Sequence, residues 1–317
     1  MAGVRVKVSV PATSANLGSG FDSLGIALGL EDEFVFELGA GQSGVVLLGP
    51  EGVSQHARIP TGRDNLSIRA FEAAYAEAGQ RAPEVMVTMA NHIPVARGLG
   101  SSAAGIVAGT VAANEFMGRP LDRQAMLNLA AKLEGHPDNT TACMLGGLTA
   151  SALVGSRTLW ARLPLPPGLG CVVVVPDFQV STSSARNVLP SSVQYSDAVF
   201  NVSRAALLVA SLATGAYQNL RYAMEDRLHQ PYRSALVPGL FAAVRAGLDA
   251  GALGVAMSGA GPSVLALVGE GVSREVVGQA IVDAFRQARV TSRAIPLPIT
   301  SEGARVSYPT AKAGGLR

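Results

Sequence analysis

Twelve residues from Pro94 to Gly105, PVARGLGSSAAG, have the composition of a phosphate cradle. Gly98 and Gly100 let the backbone approach a bulky anion, and Ser101 and Ser102 add hydroxyl donors. A helix starting at Ser101 would turn its free N–H groups and positive dipole end to the same place. The alternative is a glycine-rich strand-to-helix turn that serves geometry alone. Other phosphate loops fail on the letters. A P-loop needs a lysine after its last glycine, and the chain's lysines, Lys7, Lys132 and Lys312, follow no such loop. Gly98, Gly100 and Ala103 match the dinucleotide fingerprint formally, but a second helix follows instead of a second parallel strand, and Glu115 lies on the first helix. The nucleophile elbow G-x-S-x-G is absent.

Three further segments carry chemistry. PATSANLGSGFDSLGIAL, from Pro11 to Leu28, offers Asn16 and Asp22, an amide and a carboxylate suited to a substrate hydroxyl or ammonium. MSGAGPSVLALVG, from Met257 to Gly269, makes a tight turn between two expected strands. EGHPDN begins with Glu134 in the last turn of a predicted helix, where a negative charge opposes the macrodipole by roughly 0.3–1 kcal/mol. Binding of Mg²⁺ would offset that penalty, because hard cations prefer carboxylate oxygen. A solvent-exposed acid with no role is the alternative. Any one of the glycine-rich loops could be structural; three in one chain suggest a shared pocket.

These loops need elements to hold them. Val4 to Val10 alternates as a strand, further strands are expected around Phe34 to Leu38 and Val45 to Leu48, and Val85, Val87 and Met89 alternate again. The first third therefore reads as β-rich. From Ser101 the positions Ala104, Val107, Ala108, Val111 and Ala112 keep helical spacing, with serine as the expected N-cap. A second helix runs from an Asp122 N-cap to a stop at Gly135. The prolines of LPLPPGLG, Leu163 to Gly170, forbid a helix, and an apolar strand, CVVVVP, follows at once, so the domain boundary is placed there, giving residues 1–163 and 164–317. Beyond it, helices are predicted over about 197–213, about 240–250 and from Ser273, strands flank SGAGPS, and RAIPLPI closes with a strand. Helices alternating with antiparallel strands make an α+β sandwich.

Composition narrows the partner. The 317 residues are 48% hydrophobic and 15% charged, which excludes a disordered chain, and 36 glycines with 18 prolines imply many tight turns. A net charge of +2 without a basic block argues against nucleic acid or an anionic membrane, leaving a small molecule. Cys143 and Cys171 cannot build a disulfide framework and sit among apolar residues, as reduced cysteines do, so a cytoplasmic protein is expected. The N-terminus alternates like a strand and lacks a signal-peptide core. The longest uncharged run, Ala250 to Gly269, breaks at SGAGPS and is expected to be two buried strands and not a membrane helix.

Taken together, PATSANLGSGFD, GLGSSAAG with EGHPDN, and SGAGPS resemble the GHMP family of small-molecule kinases, over nearly the whole chain and in the same order. The wording of the first motif is most similar to that of the family's homoserine-phosphorylating members. The resemblance implies a two-domain GHMP kinase fold: an N-terminal domain like domain two of a ribosomal protein and a C-terminal ferredoxin-like α/β sandwich, with the site between them. It implies transfer of phosphate from ATP to L-homoserine, giving O-phospho-L-homoserine on the way to threonine. Dimers are common in the family, and nothing in this sequence speaks to a homodimer.

Residue by residue, the resemblance puts the ATP phosphates against Pro94, Val95, Ala96, Arg97, Gly98, Leu99, Gly100, Ser101, Ser102, Ala103 and Ala104. Ser102 and Glu134 become the Mg²⁺ ligands, with Ser101 capping the helix. Asn16, Asp22, His136, Asp138, Arg186, Arg233 and Gly259 become acceptor-binding residues, and Asn16, Asp22, Asp138, Asn139 and Arg186 the catalytic candidates. An amino-acid acceptor should pair its carboxylate with arginine and its ammonium with carboxylates. Surface placement is the serious alternative for the arginines, since the chain has 22 of them. Asp138 is assigned to binding, because a loose phosphoryl-transfer transition state needs little prior deprotonation. Thr140 and Thr141 depart from the Val-Ala-Pro that usually follows DN in the family. A kinase for another small alcohol and a non-catalytic GHMP-like binding protein are the competing readings; the paired arginines with Asp22 argue against the first, and Ser102 with Glu134 against the second.

Overall fold

Val6, Val8 and Val10 turn inward and are buried while Arg5, Lys7 and Ser9 face outward, so the first strand forms as its alternation predicts. The computed structural model describes residues 4–39, 41–48, 59–165 and 167–309. Strand β1 (Arg5–Ala15) runs five residues beyond Val10, through PATSA, with a register shift between Pro11 and Ala12 in its pairing to β2 (Leu24–Leu38). The expected long loop therefore shrinks to residues 16–23. The cause is that Ala12, Thr13, Ser14 and Ala15 are small and pair with Leu28, Ala27, Ile26 and Gly25, which leaves no large side chain to displace the ladder. His56, Pro166 and the chain ends fall outside the described residues.

β3 (Gly44–Leu48) pairs in parallel with β4 (Val85–Ala90), and between them lies helix α1 (Leu66–Glu77), which the β-rich reading of the first third missed. Its signals are weak. Asn65 caps it by accepting from the Ser67 N–H at 2.9 Å, but Ile68, Phe71 and Tyr75 are the large buried side chains and alanine fills much of the rest. Phe71 stacks on Phe36 with centroids 5.9 Å apart and meets the partly buried Phe116 edge-on at 6.0 Å, and the fully buried rings of Phe36 and Phe71 contribute roughly 1.5–3 kcal/mol each.

Helix α2 (Ser101–Phe116) is almost wholly buried, and α3 (Arg123–Glu134) starts where Asp122 accepts from the Ala125 N–H at 2.7 Å and ends at Gly135 in the left-handed conformation. The capping expectation for α2 is corrected: its N-cap is Gly100, at φ 72°, and Ser101 is the first helical residue. After α4 (Asp138–Leu145) a hairpin of β5 (Leu148–Val154) and β6 (Arg157–Leu163) completes the first sheet; neither α4 nor this hairpin was expected. Among the described residues seven strands make that sheet, in the path β11 (Arg305–Ser307)-β1-β2-β4-β3 with β5 attached to the start of β2 and β6 to β5.

The chain then builds a second, antiparallel sheet in the order β10-β7-β9-β8. Its strands are β7 (Leu169–Pro176), β8 (Gly254–Met257), β9 (Val264–Gly269) and β10 (Ser292–Leu297). Between β7 and β8 lie α5 (Thr182–Asn187), α6 (Tyr195–Thr214), α7 (Leu220–Ala223), α8 (Gln230–Arg233) and α9 (Leu240–Asp249); α10 (Arg274–Gln287) connects β9 to β10. α10 begins at its Ser273 cap and buries Val277, Ile281 and Phe285. Residues 250–269 are indeed the β8–β9 hairpin and its approach. α6 is the one helix among the described residues long and apolar enough by composition to cross a membrane. Finally, β11 returns to pair with β1, joining the first sheet after the second is complete.

Candidate active site

The loop of residues 16–23 holds Asn16, Leu17, Gly18 and Asp22 in the left-handed region, at φ 71°, 49°, 79° and 54°. Non-glycine residues there cost of order 1 kcal/mol or more each and persist only where their surroundings over-determine them. Here they do: Asn16 Nδ2 donates to the Gly259 carbonyl at 2.8 Å, and Asn16 Oδ1 accepts from the Asp22 N–H at 3.0 Å. The Gly259 N–H in turn donates to the Ala15 carbonyl at 3.1 Å. Ser258 Oγ lies 2.6 Å from the Gly98 carbonyl, to which it donates, and 2.8 Å from Ser14 Oγ. Thr13 closes the set, its N–H on the Leu99 carbonyl at 3.1 Å and its hydroxyl on Asn139 Oδ1 at 2.8 Å. The three glycine-rich segments are thus one hydrogen-bonded assembly.

The glycines of the second segment have a reason the sequence alone did not give. A Cβ at Gly98 would stand 2.1 Å from the Ser258 carbonyl oxygen, and one at Gly100 would stand 2.0 Å from Thr13 Oγ1. Glycine lets the neighbouring loops close on this one, as well as permitting the positive φ of 75° and 72°. What remains open is the N-terminal end of α2, facing a cavity of about 310 Å³. Asn16, Asp22, residues 95–102, Glu134, His136, Asp138, Asn139, Arg186, Arg233 and Gly259 all line it. Pro94, Ala103 and Ala104, also expected there, are not on its wall; Ala103 and Ala104 are fully buried in α2.

Arg97 uses its guanidinium on the other side. Nε donates to the Pro176 carbonyl at 2.9 Å, Nη2 to that of Asp177 at 2.7 Å and Nη1 to that of Val95 at 3.1 Å. This side chain fastens the cradle to the end of β7. Ser102 and Glu134, 32 residues apart, meet across the start of α2 and the end of α3, where Ser102 Oγ donates to Glu134 Oε1 at 2.5 Å. Burial pushes the Glu134 carboxyl above its usual range, against the Ser102 hydrogen bond, so a cation there would relieve an unfavourable charge. A hydroxyl and a carboxylate beside an anion cradle fit Mg²⁺, which takes few protein oxygens and completes its shell with phosphate and water. Among the described residues no three His, Cys, Asp or Glu form a metal cage.

Charged side chains line the cavity as well. Arg186 grips Asp22 through two parallel bonds, Nη1 to Oδ2 at 2.9 Å and Nη2 to Oδ1 at 2.8 Å, each side chain about a third exposed. His136 Nδ1 is 2.7 Å from Asp138 Oδ1, which also accepts from the Asn139 N–H. Burial works against a charged His136 ring, yet the Asp138 hydrogen bond with the charges of Asp138, Glu134 and Asp22 holds it above its ordinary pKa. Arg233, 2% exposed, donates from Nε to the Ala185 carbonyl at 3.1 Å and from Nη1 to that of Gly259 at 3.2 Å. Neither arginine is a free surface residue.

Of the apolar residues Phe34, Ile59, Pro60, Leu66, Met89 and Val95 on the cavity wall, sequence reasoning named only Val95. They come from β2, α1, β4 and two connections, and each has the pattern of a core residue; the Asn65 cap was the only letter that could have located α1 beside the cradle. Val180, Ser181 and Thr182 also line the wall and were not expected.

Comparison with known proteins bears on this geometry. Residues 65–147 match the GHMP kinases N terminal domain, and residues 208–288 the GHMP kinases C terminal domain. A homoserine kinase from Moorella thermoacetica is 45% identical over 299 residues, spanning 94% of this chain and 99% of its own. The chain belongs to the homoserine kinase family of GHMP kinases. A homoserine kinase from Gloeobacter violaceus is 48% identical over 260 residues, 82% of this chain and 86% of its own. The crystal structure of homoserine kinase from Cytophaga hutchinsonii superposes with a TM-score of 0.84 at 30% identity, covering 96% of this chain and 97% of that one. The two-sheet architecture is therefore that of a GHMP kinase, and the family is one of phosphotransferase enzymes. The glycine-rich loop, the Ser102–Glu134 pair and the two arginines line one cavity.

Proposed function

We propose that the protein transfers the γ-phosphoryl group of ATP to the side-chain hydroxyl of L-homoserine, yielding ADP and O-phospho-L-homoserine, a cytoplasmic step towards threonine. One observation carries the reading: a single cavity is lined both by the N-terminus of α2 and by Asp22, Asp138, Arg186 and Arg233. The nucleobase lies at the apolar end among Phe34, Leu66 and Met89, and the phosphates lie against the backbone N–H groups at Ser101 and Ser102. Mg²⁺, when bound, neutralises phosphate charge, and Ser102 and Glu134 are the side chains that would hold it.

The protein's own part is alignment and charge. Arg233 and Arg186 take the acceptor carboxylate, Asp22 and Asp138 take its ammonium and hydroxyl, and Asn16 and Asn139 fix the loops that carry them. Arg186 exchanges Asp22 for the incoming carboxylate, which its partial exposure permits. Asp138, already accepting from His136 and Asn139, orients the hydroxyl and acts as a binding group. We place the division of the chain between β6 and β7, as residues 1–163 and 164–317, with β11 returning to the first sheet.

An ADP-release assay over a panel of small alcohols tests the reading. Turnover selective for L-homoserine supports it; selective turnover of a different alcohol replaces the acceptor; no turnover with any overturns it.

A further inference from the structure

His229 has no exposed surface, and its ring is bounded on every polar side. Nε2 is 2.8 Å from the Gly18 carbonyl and 3.5 Å from Asp226 Oδ2. Both are acceptors, so Nε2 carries a hydrogen, donated to Gly18. Nδ1 is 3.4 Å from Arg233 Nη1, a group that can only donate, so Nδ1 is bare. The partners alone therefore fix the neutral tautomer with hydrogen on Nε2. Burial also drives the ring's pKa down, keeping it uncharged beside Arg233.

The ring's face is occupied as well. Phe21 stacks on it with centroids 4.8 Å apart and planes 17° from parallel. Phe21 in turn has the Arg233 guanidinium carbon 5.0 Å and that of Arg186 5.7 Å from its centroid. Two like-charged guanidiniums are thus gathered around one aromatic ring, which attracts both. Arg186 has Asp22 as a counter-charge, whereas the hydrogen-bond partners of Arg233 are two carbonyls and His229, all neutral. Nη2 of Arg233 meets no acceptor among the described residues, in a side chain that is buried and lines the cavity.

We infer that His229 is a positioning residue of the acceptor site: it ties the Arg233 guanidinium to the Gly18–Asp22 loop, and so sets how firmly the acceptor's carboxylate is held. This rests on the reading of L-homoserine as acceptor. The two nitrogens do separate work, since Nδ1 steadies the arginine and Nε2 steadies the loop. Phe21 transmits the same constraint through its face.

The two amide substitutions separate those roles. Asn at 229 can keep an acceptor near the place of Nδ1, whereas Gln can keep a donor near the place of Nε2. His229→Gln is expected to raise the KM for L-homoserine about tenfold or more, a size typical of misplaced binding groups, with the KM for ATP within about twofold. His229→Asn is expected to recover most of that loss. In an Arg233→Met background, either change should add less than about twofold, because residues acting as a unit are non-additive. Thermal unfolding checks that each variant folds; if the Gln variant does not, His229→Leu, which likewise offers Arg233 no acceptor, takes its place in the Arg233→Met cycle. Equal damage to the KM of both substrates, or full additivity with Arg233→Met, overturns the role of His229. Absence of wild-type turnover with L-homoserine overturns the acceptor reading itself, a distinct result.

Discussion

Glu134 sits where a carboxylate is least comfortable, at the C-terminal end of α3 and part-buried, with Ser102 Oγ as its hydrogen-bond donor. Such a group is tolerated where a cation visits. Removing its charge as Glu134→Gln, or the hydroxyl as Ser102→Ala, is expected to lower kcat by about 10²-fold or more, since charge stabilisation in a dry site is worth several kcal/mol. Raising Mg²⁺ in steady-state assays should restore part of the Ser102→Ala loss, and unchanged kcat in both variants would remove the metal assignment. Arg233 makes the complementary case. Arg233→Leu deletes the guanidinium whose Nη2 lacks a protein acceptor, and the KM for L-homoserine should rise with the KM for ATP nearly unchanged. The arginine's position was legible from the family motif, but its burial and its reliance on His229 were not, because HQPYR reads as an ordinary short helical turn.

At the scale of the element, the cradle shows how a loop's letters can be right for more than one reason. Gly98→Ala would drive a Cβ into the Ser258 carbonyl at 2.1 Å and hold alanine at a φ of 75°. Stability should fall by about 1–3 kcal/mol in urea melts, and nucleotide affinity with it, because the backbone must shift to relieve the clash. By contrast, Asp122→Ala removes only the cap of α3, which accepts from the Ala125 N–H, and should cost about 1 kcal/mol of stability with acceptor KM unchanged. The caps and stops of α3 and α10 were legible because Asp122, Gly135 and Ser273 act within one turn of themselves. α1 was not, because small residues, Ser67, Ala70 and Ala74, make up half of its buried face and its stability comes from Phe36 and Phe116, which are distant in sequence.

Over the whole molecule, the two sheets are joined at the site itself. Arg97 donates to the Pro176 and Asp177 carbonyls at the end of β7, and the Val180 N–H donates to the Ala96 carbonyl at 3.2 Å. Arg97→Met would leave the Pro176, Asp177 and Val95 carbonyls short of a donor, lowering stability by about 1–3 kcal/mol and raising the KM for ATP through a loosened cradle. Titration works at this scale too. His136 is held above its ordinary pKa in the folded protein, so its contribution to stability is complete below about 6.5 and fades as pH rises through the folded value. Melting temperature should therefore decline as pH rises above about 6.5, and His136→Gln should flatten that decline; an unaltered slope would show that His136 gains nothing from Asp138.

Local chemistry settled what the sequence could settle alone. The glycine and serine spacing from Gly98 to Ser102, the lysine-free loop, the caps and the buried strands each depend on neighbours within a few residues, and those were decided in the letters. The packing of Thr13 and Ser258 against the cradle's glycines, the meeting of Ser102 with Glu134, the Asp22–Arg186 pair and the Phe21–His229–Arg233 stack were decided only by the tertiary structure. They join residues as far apart as Phe21 and Arg233, and which of many serines or arginines meets which partner is fixed by sheet register and loop closure rather than by any periodicity along the chain.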